Sequence, residues 1–304
     1  MTVIYQNILI IGGGLIGSSL ARGARVRGLA GHIAMSDKSA EVCARLKDLG
    51  LADRVESNTV SLCADADLII MAVPTGAIAP LAAAIIPAMK AGATLTDVCS
   101  VKGAVVDAVT PLLRGDIHFV PGHPIAGTEN SGPDAGFSEL FHERWCILCP
   151  DDESASAALN LQKFWEGLGS QVAFMPAARH DVVLAATSHV PHLLAFTLVG
   201  TAVDMETVTN NEVVKFSAGG FRDFTRIAAS DPVMWRDVFL TNQDAVLEVV
   251  DRFIEDLSAL KRAIRWGDGE QLFKHFEKTR DIRRRIIDAG QDTAEPNFGR
   301  DGEG

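Results

Sequence analysis

Within Val120–Gly132, VPGHPIAGTENSG, one histidine, His123, stands among glycines, prolines and hydroxyls, with one carboxylate, Glu129, in the same run. An imidazole titrates near neutral pH, so it can take a proton from an alcohol and return it. Earlier in the chain, TDVCSVKG delivers Asp97, Ser100 and Lys102 where a short apolar run stops. A base and a hydroxyl at neighbouring strand ends suit alcohol oxidation: the base takes the hydroxyl proton while hydride leaves the carbon. In that reading His123 is the base and Ser100 orients its ring or shares its proton. Thr128, Glu129 and Ser131 become pocket residues. The competing reading is that His123 only caps a turn.

Hydride needs an acceptor, and the N-terminus offers a place for one. NILIIGGGLIGSSLARGARVRG reads as a buried strand, then Gly12-x-Gly14-x-x-Gly17, then a helix. Gly12 permits the tight turn, Gly14 lets backbone approach a pyrophosphate, and Gly17 allows close helix–strand contact. The first helical turn, with Leu15 and Ile16, points its free N–H groups at the phosphates. Asp37 ends the second strand 20 residues after Gly17, where an acid accepts from both ribose hydroxyls. That favours NAD over NADP, although Lys38 beside it leaves NADP open. Ligands in open α/β sheets lie outside the carboxyl ends of the strands. Val73, Pro74 and Thr75, which end the third strand, and Ser100 therefore join the cofactor side of the crevice.

These residues need a scaffold. NILIIG, HIAMSD, ADLIIMAVP, ATLTDVC, IHFVPGHP and RWCILCP alternate with helical stretches, the βαβ rhythm of a mainly parallel sheet. After QVAFMP the apolar spacing turns helical. In DAVLEVVDRFIEDLSALKRAI, Val246, Val249, Val250, Phe253, Ile254, Leu257 and Leu260 form one stripe. The fold class expected is α/β, a Rossmann-type, mainly parallel sheet domain over residues 1–176 followed by an all-α domain over 177–289. The stripe has to pack on other helices or on a second subunit, which predicts a homodimer through the helical domain. Residues 290–304 read as a disordered tail.

With 47% hydrophobic and 22% charged residues the chain has ample material for a core, and a formal charge of −11 disfavours nucleic acid as partner. It does not disfavour an anionic substrate held by a local arginine. The opening apolar run is broken by glycine long before membrane-spanning length and has no leader pattern, so no membrane partner and a cytoplasmic location are expected. Five cysteines read as reduced thiols. Cys146 and Cys149 lie on a strand, where residues three apart face opposite ways, and His189-x-x-His192 lacks a nearby carboxylate. No metal is expected from either pair.

GGGLIGSSLA, DVCSVK, GHPIAGTENSG and GGFRDFTRIAASDPVMWRDVFLTN occur in that order. Together they resemble the prephenate dehydrogenases, a family that includes arogenate and broad-specificity cyclohexadienyl dehydrogenases of tyrosine biosynthesis. The resemblance runs from about residue 5 to about residue 285. It implies that His123 is the catalytic histidine on the ring hydroxyl and Ser100 the serine assisting it. It further implies that Arg226 holds a substrate carboxylate, that Trp235 lines that pocket, and that His189 and His192 belong to the interdomain helix. Which of His180, His189 and His192 faces substrate is left open. The implied reaction is oxidative decarboxylation of prephenate, or of arogenate, with hydride passing to NAD. Arogenate carries an ammonium where prephenate carries a keto group, and Glu129 is the residue that could pair with it.

Two other functions compete. A β-hydroxyacid dehydrogenase shares this architecture but uses a lysine in its helical domain, whereas Lys102 precedes the histidine motif and Lys215 lacks a glycine-rich setting. A non-catalytic NAD-binding regulator needs Gly12–Gly17 and Asp37 but not Ser100, His123 and Arg226 together.

Overall fold

The computed structural model describes residues 2–128, 130–153, 155–209 and 219–288. Its first half runs β1 (Tyr5–Ile11), α1 (Leu15–Val26), β2 (Ala30–Ser36), α2 (Ala40–Asp48), β3 (Arg54–Glu56) and α3 (Val60–Cys63). It continues with β4 (Leu68–Met71), α4 (Ile78–Ile85), β5 (Thr94–Asp97), α5 (Gly103–Val109) and β6 (His118–Phe119). The six strands form one parallel sheet in the order β3-β2-β1-β4-β5-β6. The central strands β1 and β4 carry continuous apolar runs, ILII and LIIM, because helices cover both faces. In β1, Ile8 and Ile10 pack with Leu20, Ala24 and Leu46, whereas Leu9 and Ile11 pack on the opposite face with Ala82, Ile85 and Val105. A period of two thus splits one apolar stretch between two cores.

Strand order reverses between β1 and β4, and Ile11 is in register with both Ser36 and Met71, while Met71 is in register with Asp97. The glycine turn, Asp37, Val73 and the segment after Asp97 therefore leave the sheet along one edge, where such folds bind ligands.

His118–Phe119 does not continue through the histidine motif as one strand. Val120 still donates to the Leu95 carbonyl at 2.9 Å, but Pro121 has no N–H to extend the ladder. The Pro121 carbonyl instead accepts from Cys149 N at 2.8 Å. The chain passes into a second sheet, β7 (Gly122–Pro124), β8 (Trp145–Leu148) and β9 (Gln171–Phe174), with β7 antiparallel and β9 parallel to β8. RWCILCP and QVAFMP belong to this small mixed sheet rather than to the main one. Cys146 and Cys149 are buried free thiols in and just after β8.

α6 (Ser156–Gly167) lies between β8 and β9, and after β9 the elements among the described residues are helical, as expected. α7 (Ala177–Leu184) runs through a π-helical turn, Ala185–His189, into α8 (Val190–Thr209). Pro191 cannot donate to the carbonyl one turn back, which accounts for the widened turn before it. The run Ala177–Met205 has the length and hydropathy, 1.7 on average, of a membrane-crossing helix. It nevertheless carries His180, Asp181 and His189, all buried, and its hydrogen bonds tie it to α5. α9 (Gly219–Thr225), a 3-10 turn Arg226–Ala229 and α10 (Pro232–Thr241) follow, and then α11 (Gln243–Trp266) and α12 (Gly269–Asp288).

The chain divides into two compact units, Met1–Leu247 and Glu248–Gly304. In the second, Phe253, Ile254 and Leu257 on α11 and Phe273 and Phe276 on α12 are exposed. The proposed tail lies outside the described residues.

Candidate active site

The glycine turn has the geometry its motif implies. Gly12 has φ +110°, and a Cβ there would lie 2.1 Å from the Ala72 carbonyl oxygen. A Cβ on Gly17 would lie 1.9 Å from the Gly12 carbonyl oxygen. Gly14 differs: it is the N-cap of α1 with no side-chain cap, and a Cβ on it meets nothing within 4 Å. The free N–H groups of the first turn and the open space at Gly14 fit a dinucleotide pyrophosphate. The Asp37 carboxylate accepts from Gly13 N at 2.8 Å and Ser39 N at 2.9 Å, leaving each oxygen further lone pairs for ribose hydroxyls. Two substitutions separate fold from binding. Gly14→Ala is expected to leave Tm within about 2 °C while dinucleotide Kd rises about tenfold, about 1.4 kcal/mol, measured by titration. Gly17→Ala is expected to destabilise the fold by about 2–3 kcal/mol in denaturant titration, because backbone rather than a flexible side chain must move.

At the end of β5 the sequence places a buried ion pair. Lys102 and Asp97 are both fully buried; the Lys102 ammonium donates to Asp97 Oδ2 and, at 2.6 Å, to the Gly122 carbonyl. Asp97 in turn accepts from Gly122 N at 3.2 Å and Cys99 N at 2.9 Å. The pair grips both backbone groups of the residue before His123. His123 therefore occupies a separate strand, β7, rather than the end of a strand of the main sheet. Its ring partner is an imidazole rather than the Ser100 hydroxyl: Nδ1 lies 2.8 Å from His180 Nε2, and His180 Nδ1 lies 2.8 Å from Asp181 Oδ1.

Burial pushes the His123 pKa well below the ordinary histidine value, helped by its neighbours His180 and Lys102. Burial also lowers His180, against the pull of Asp181. Burial alone would raise the Asp181 carboxyl, but hydrogen bonds from His180 and from the backbone of Lys102 and Gly103 outweigh it and hold it low. His123 is thus a neutral base at neutral pH.

His189 is fully buried and His192 partly so. Asn242 Nδ2 donates to the Asp181 carbonyl at 2.9 Å and lies 3.1 Å from His189 Nδ1. Burial takes the His189 pKa down to about 4, against the pull of Asp181 and the Ser100 backbone. Ser100 is half-buried. His192 stacks on Trp235 with centroids 3.7 Å apart and donates from Nδ1 to the Ser188 carbonyl at 2.8 Å. Burial lowers its pKa and the Arg226 charge lowers it further, which places Arg226 within the field of this cluster. Arg226 opens the 3-10 turn that follows α9. Trp235 is buried, and among the described residues its indole N–H and His189 Nε2 have no hydrogen-bond partner.

Thr128 and Ser131 are exposed in the loop after β7, with Thr128 Oγ1 accepting from Asn130 N at 3.2 Å; Glu129 lies outside the described residues, as does Lys215. The loop's far end docks on the glycine-turn helix. Phe137 N donates to Ser19 Oγ at 3.1 Å, and a Cβ on Gly136 would lie 2.2 Å from Ser18 Oγ. Val73 and Thr75 are partly buried and Pro74 exposed at the β4 end. A surface crevice of about 370 Å³ opens at the other strand ends around Tyr5, Asp67, Thr94 and His118, away from these groups. Among the described residues no cluster of three metal-ligating side chains occurs.

Asp181 and Asn242 were not anticipated. Their signal was available for Asp181 at least, because a His-Asp pair inside the apolar run AARHDVVLAATSHVPHLLAF is costly to bury unless each is partnered.

A phosphate-ready helix start at the switch point, with a neutral imidazole held at the neighbouring strand end, defines the class as dinucleotide-dependent dehydrogenases. Comparison with known proteins narrows it. The family model for the prephenate dehydrogenase nucleotide-binding domain matches residues 20–174, and that for the prephenate dehydrogenase dimerization domain matches residues 176–278. The chain is 42% identical over 284 residues to a cyclohexadienyl dehydrogenase of Zymomonas mobilis, covering 93% of this chain and 96% of that one. It is 33% identical over 285 residues to a prephenate dehydrogenase of Bacillus subtilis, covering 93% and 76%. The crystal structure of prephenate dehydrogenase from A. aeolicus in complex with hydroxyphenyl propionate and NAD+ superposes with a TM-score of 0.85 at 35% identity, covering 92% of this chain and 98% of that one. The chain belongs to the prephenate dehydrogenase family.

Proposed function

We propose that this chain oxidatively decarboxylates prephenate with NAD, giving 4-hydroxyphenylpyruvate and CO2 for tyrosine biosynthesis. The observation that carries the reading is His123, neutral, buried, and hydrogen-bonded through Nδ1 to His180, which leaves Nε2 for substrate. Bound NAD would supply the hydride acceptor for the carbinol carbon. His123 takes the hydroxyl proton as the carbonyl forms, and returns it to the ring oxygen as the carbon–carboxylate bond breaks and its electron pair completes the aromatic ring. Protons therefore balance on one residue, and the two electrons of oxidation leave with the hydride. Gly12, Gly14, Leu15, Ile16 and Gly17 hold the pyrophosphate, Asp37 the ribose, and Val73, Pro74, Thr75 and Ser100 line the nicotinamide side. Arg226, with Trp235, His189 and His192 beside it, fixes a substrate carboxylate; a guanidinium does this bidentately and so sets orientation. Thr128 and Ser131 complete the mouth of the pocket.

The domain division belongs to the same proposal, with 1–176 binding cofactor and 177–289 completing the substrate site. It is supported by the two family models, which adjoin at residues 174 and 176. So does a homodimer, supported by the name of the second model and by the exposed Phe253, Ile254, Leu257, Phe273 and Phe276. The location proposed is cytoplasmic.

Two measurements bear on this reading. A matrix of kcat/KM for prephenate and arogenate, each with NAD and NADP, is expected to favour prephenate with NAD; a large preference for arogenate with NADP would overturn both choices. Arogenate is the second substrate to test because the Z. mobilis relative carries the broader name. The pH profile is the other. His123 must be neutral to act, and burial lowers its pKa, so activity persists into more acid solution than a histidine titrating at about 6.5 would allow. An acid limb of kcat/KM at or above that value would contradict the buried-base assignment.

A further inference from the structure

We propose that His180 and Asp181 are positioning residues for His123, joined in a one-way chain of hydrogen bonds that fixes the base as its Nδ1–H tautomer with the Nε2 lone pair toward substrate. The inference rests on the reading of His123 as the base and adds the machinery that orients it.

The direction of each bond follows from the one before. Asp181 Oδ1 accepts from Lys102 N at 2.8 Å and Oδ2 from Gly103 N at 2.8 Å. Two backbone donors, which can only donate, hold the carboxyl as an acceptor-only anion. The third contact to it, His180 Nδ1 at 2.8 Å, must then be a donor as well. A neutral His180 with its proton on Nδ1 presents Nε2 as an acceptor. The ring nitrogen 2.8 Å from that acceptor, His123 Nδ1, has to donate, and His123 Nε2 is left with its lone pair.

The surroundings keep the chain in this sense. Gly103 has no room for a side chain, since its Cβ would lie 2.9 Å from Asp181 Oδ2. Asn242 donates to the Asp181 carbonyl at 2.9 Å and so fixes the backbone of the same residue. Lys102 serves both ends. Its backbone N–H holds Asp181 while its ammonium, with Asp97, holds the Gly122 backbone next to His123.

During reaction the proton leaving the substrate hydroxyl lands on His123 Nε2. The imidazolium keeps its Nδ1–H on His180 Nε2, with the Asp181 charge one ring beyond to stabilise it, and the same proton later returns to the ring oxygen. No further donor or acceptor is required. The titratable and charged groups around His123 are His180 and Asp181 from α7, His189 from the π-helical turn, Lys102 and Asp97 from the β5–α5 segment, and Cys146 from β8.

Two measurements on the full chain decide the proposal. Nitrogen-15 NMR of histidine-labelled wild-type protein at neutral pH should show both His123 and His180 protonated on Nδ1 and bare on Nε2; a proton on Nε2 of either ring overturns it, whether or not any variant folds. Asp181→Asn should lower kcat about 10²-fold or more with KM and NAD Kd within about threefold. It should also move the acid limb of kcat to lower pH, because removing the anion destabilises the imidazolium. A kcat within about threefold of wild type, or a lowered kcat with an unmoved limb, overturns it. If wild-type protein reduces no NAD with prephenate, the functional reading falls while the ring tautomers still decide the chain.

Discussion

His123→Asn lowers the rate of hydride transfer by about 10³-fold or more while NAD affinity stays within about threefold. The size follows from what is removed: a positioned general base contributes about 10²–10⁴-fold, and no neighbouring group can take the role. His180 has its two nitrogens committed to His123 and Asp181, and His189 is tied to Asn242 through Nδ1. The selectivity follows from geometry. An asparagine amide can still donate to His180 Nε2, so β7 and the relay keep their hydrogen bond, and the glycine turn on β1 is untouched. Single-turnover formation of NADH with prephenate reads the first quantity and a fluorescence titration of NAD the second. Equal losses in both would mean that His123 only shapes its turn.

Lys102→Met destabilises the protein by about 3–5 kcal/mol, read by chemical denaturation, because it strands the fully buried Asp97 carboxylate without its counter-charge. The double variant Lys102→Met with Asp97→Asn recovers much of that loss, since the amide carries no charge and its oxygen still accepts from a backbone N–H of Cys99 or Gly122. A single variant as stable as wild type would show the pair to be dispensable. A double variant no better than the single one would place the cost in the lost Lys102 bond to the Gly122 carbonyl rather than in the unpaired charge. The contrast matters because the Lys102 ammonium, with Asp97, holds the backbone of Gly122, the residue before His123.

Local rules were enough for five of the six strands of the parallel sheet; β3 (Arg54–Glu56) has no apolar run and was not read. Those five strands carry apolar residues followed by a glycine, an acid or a proline, and the positions Gly12, Gly14 and Gly17 have backbone reasons that a sequence shows directly. The strand-end rule singled out His123 as a candidate site residue, although the structure places it in the middle of the separate strand β7. The surroundings of His123 were not legible. The separate sheet of β7, β8 and β9 arises because Pro121 halts one ladder and Cys149 starts another, a pairing between residues 28 positions apart that no local period announces. The relay joins positions 123, 180 and 181 and depends on two backbone N–H groups at 102 and 103, which no side-chain motif encodes. Periodicity marked Phe253, Ile254 and Leu257 as one apolar face, and their exposure in the single chain leaves that face for a partner subunit in the proposed dimer.

The central claim is that this chain couples hydride transfer to loss of the ring carboxylate. Incubating purified protein with prephenate and limiting NAD, and counting NADH against CO2, tests it most directly. The account predicts one CO2 for each NADH, with 4-hydroxyphenylpyruvate as the organic product. NAD that binds but is not reduced in the presence of prephenate would contradict it.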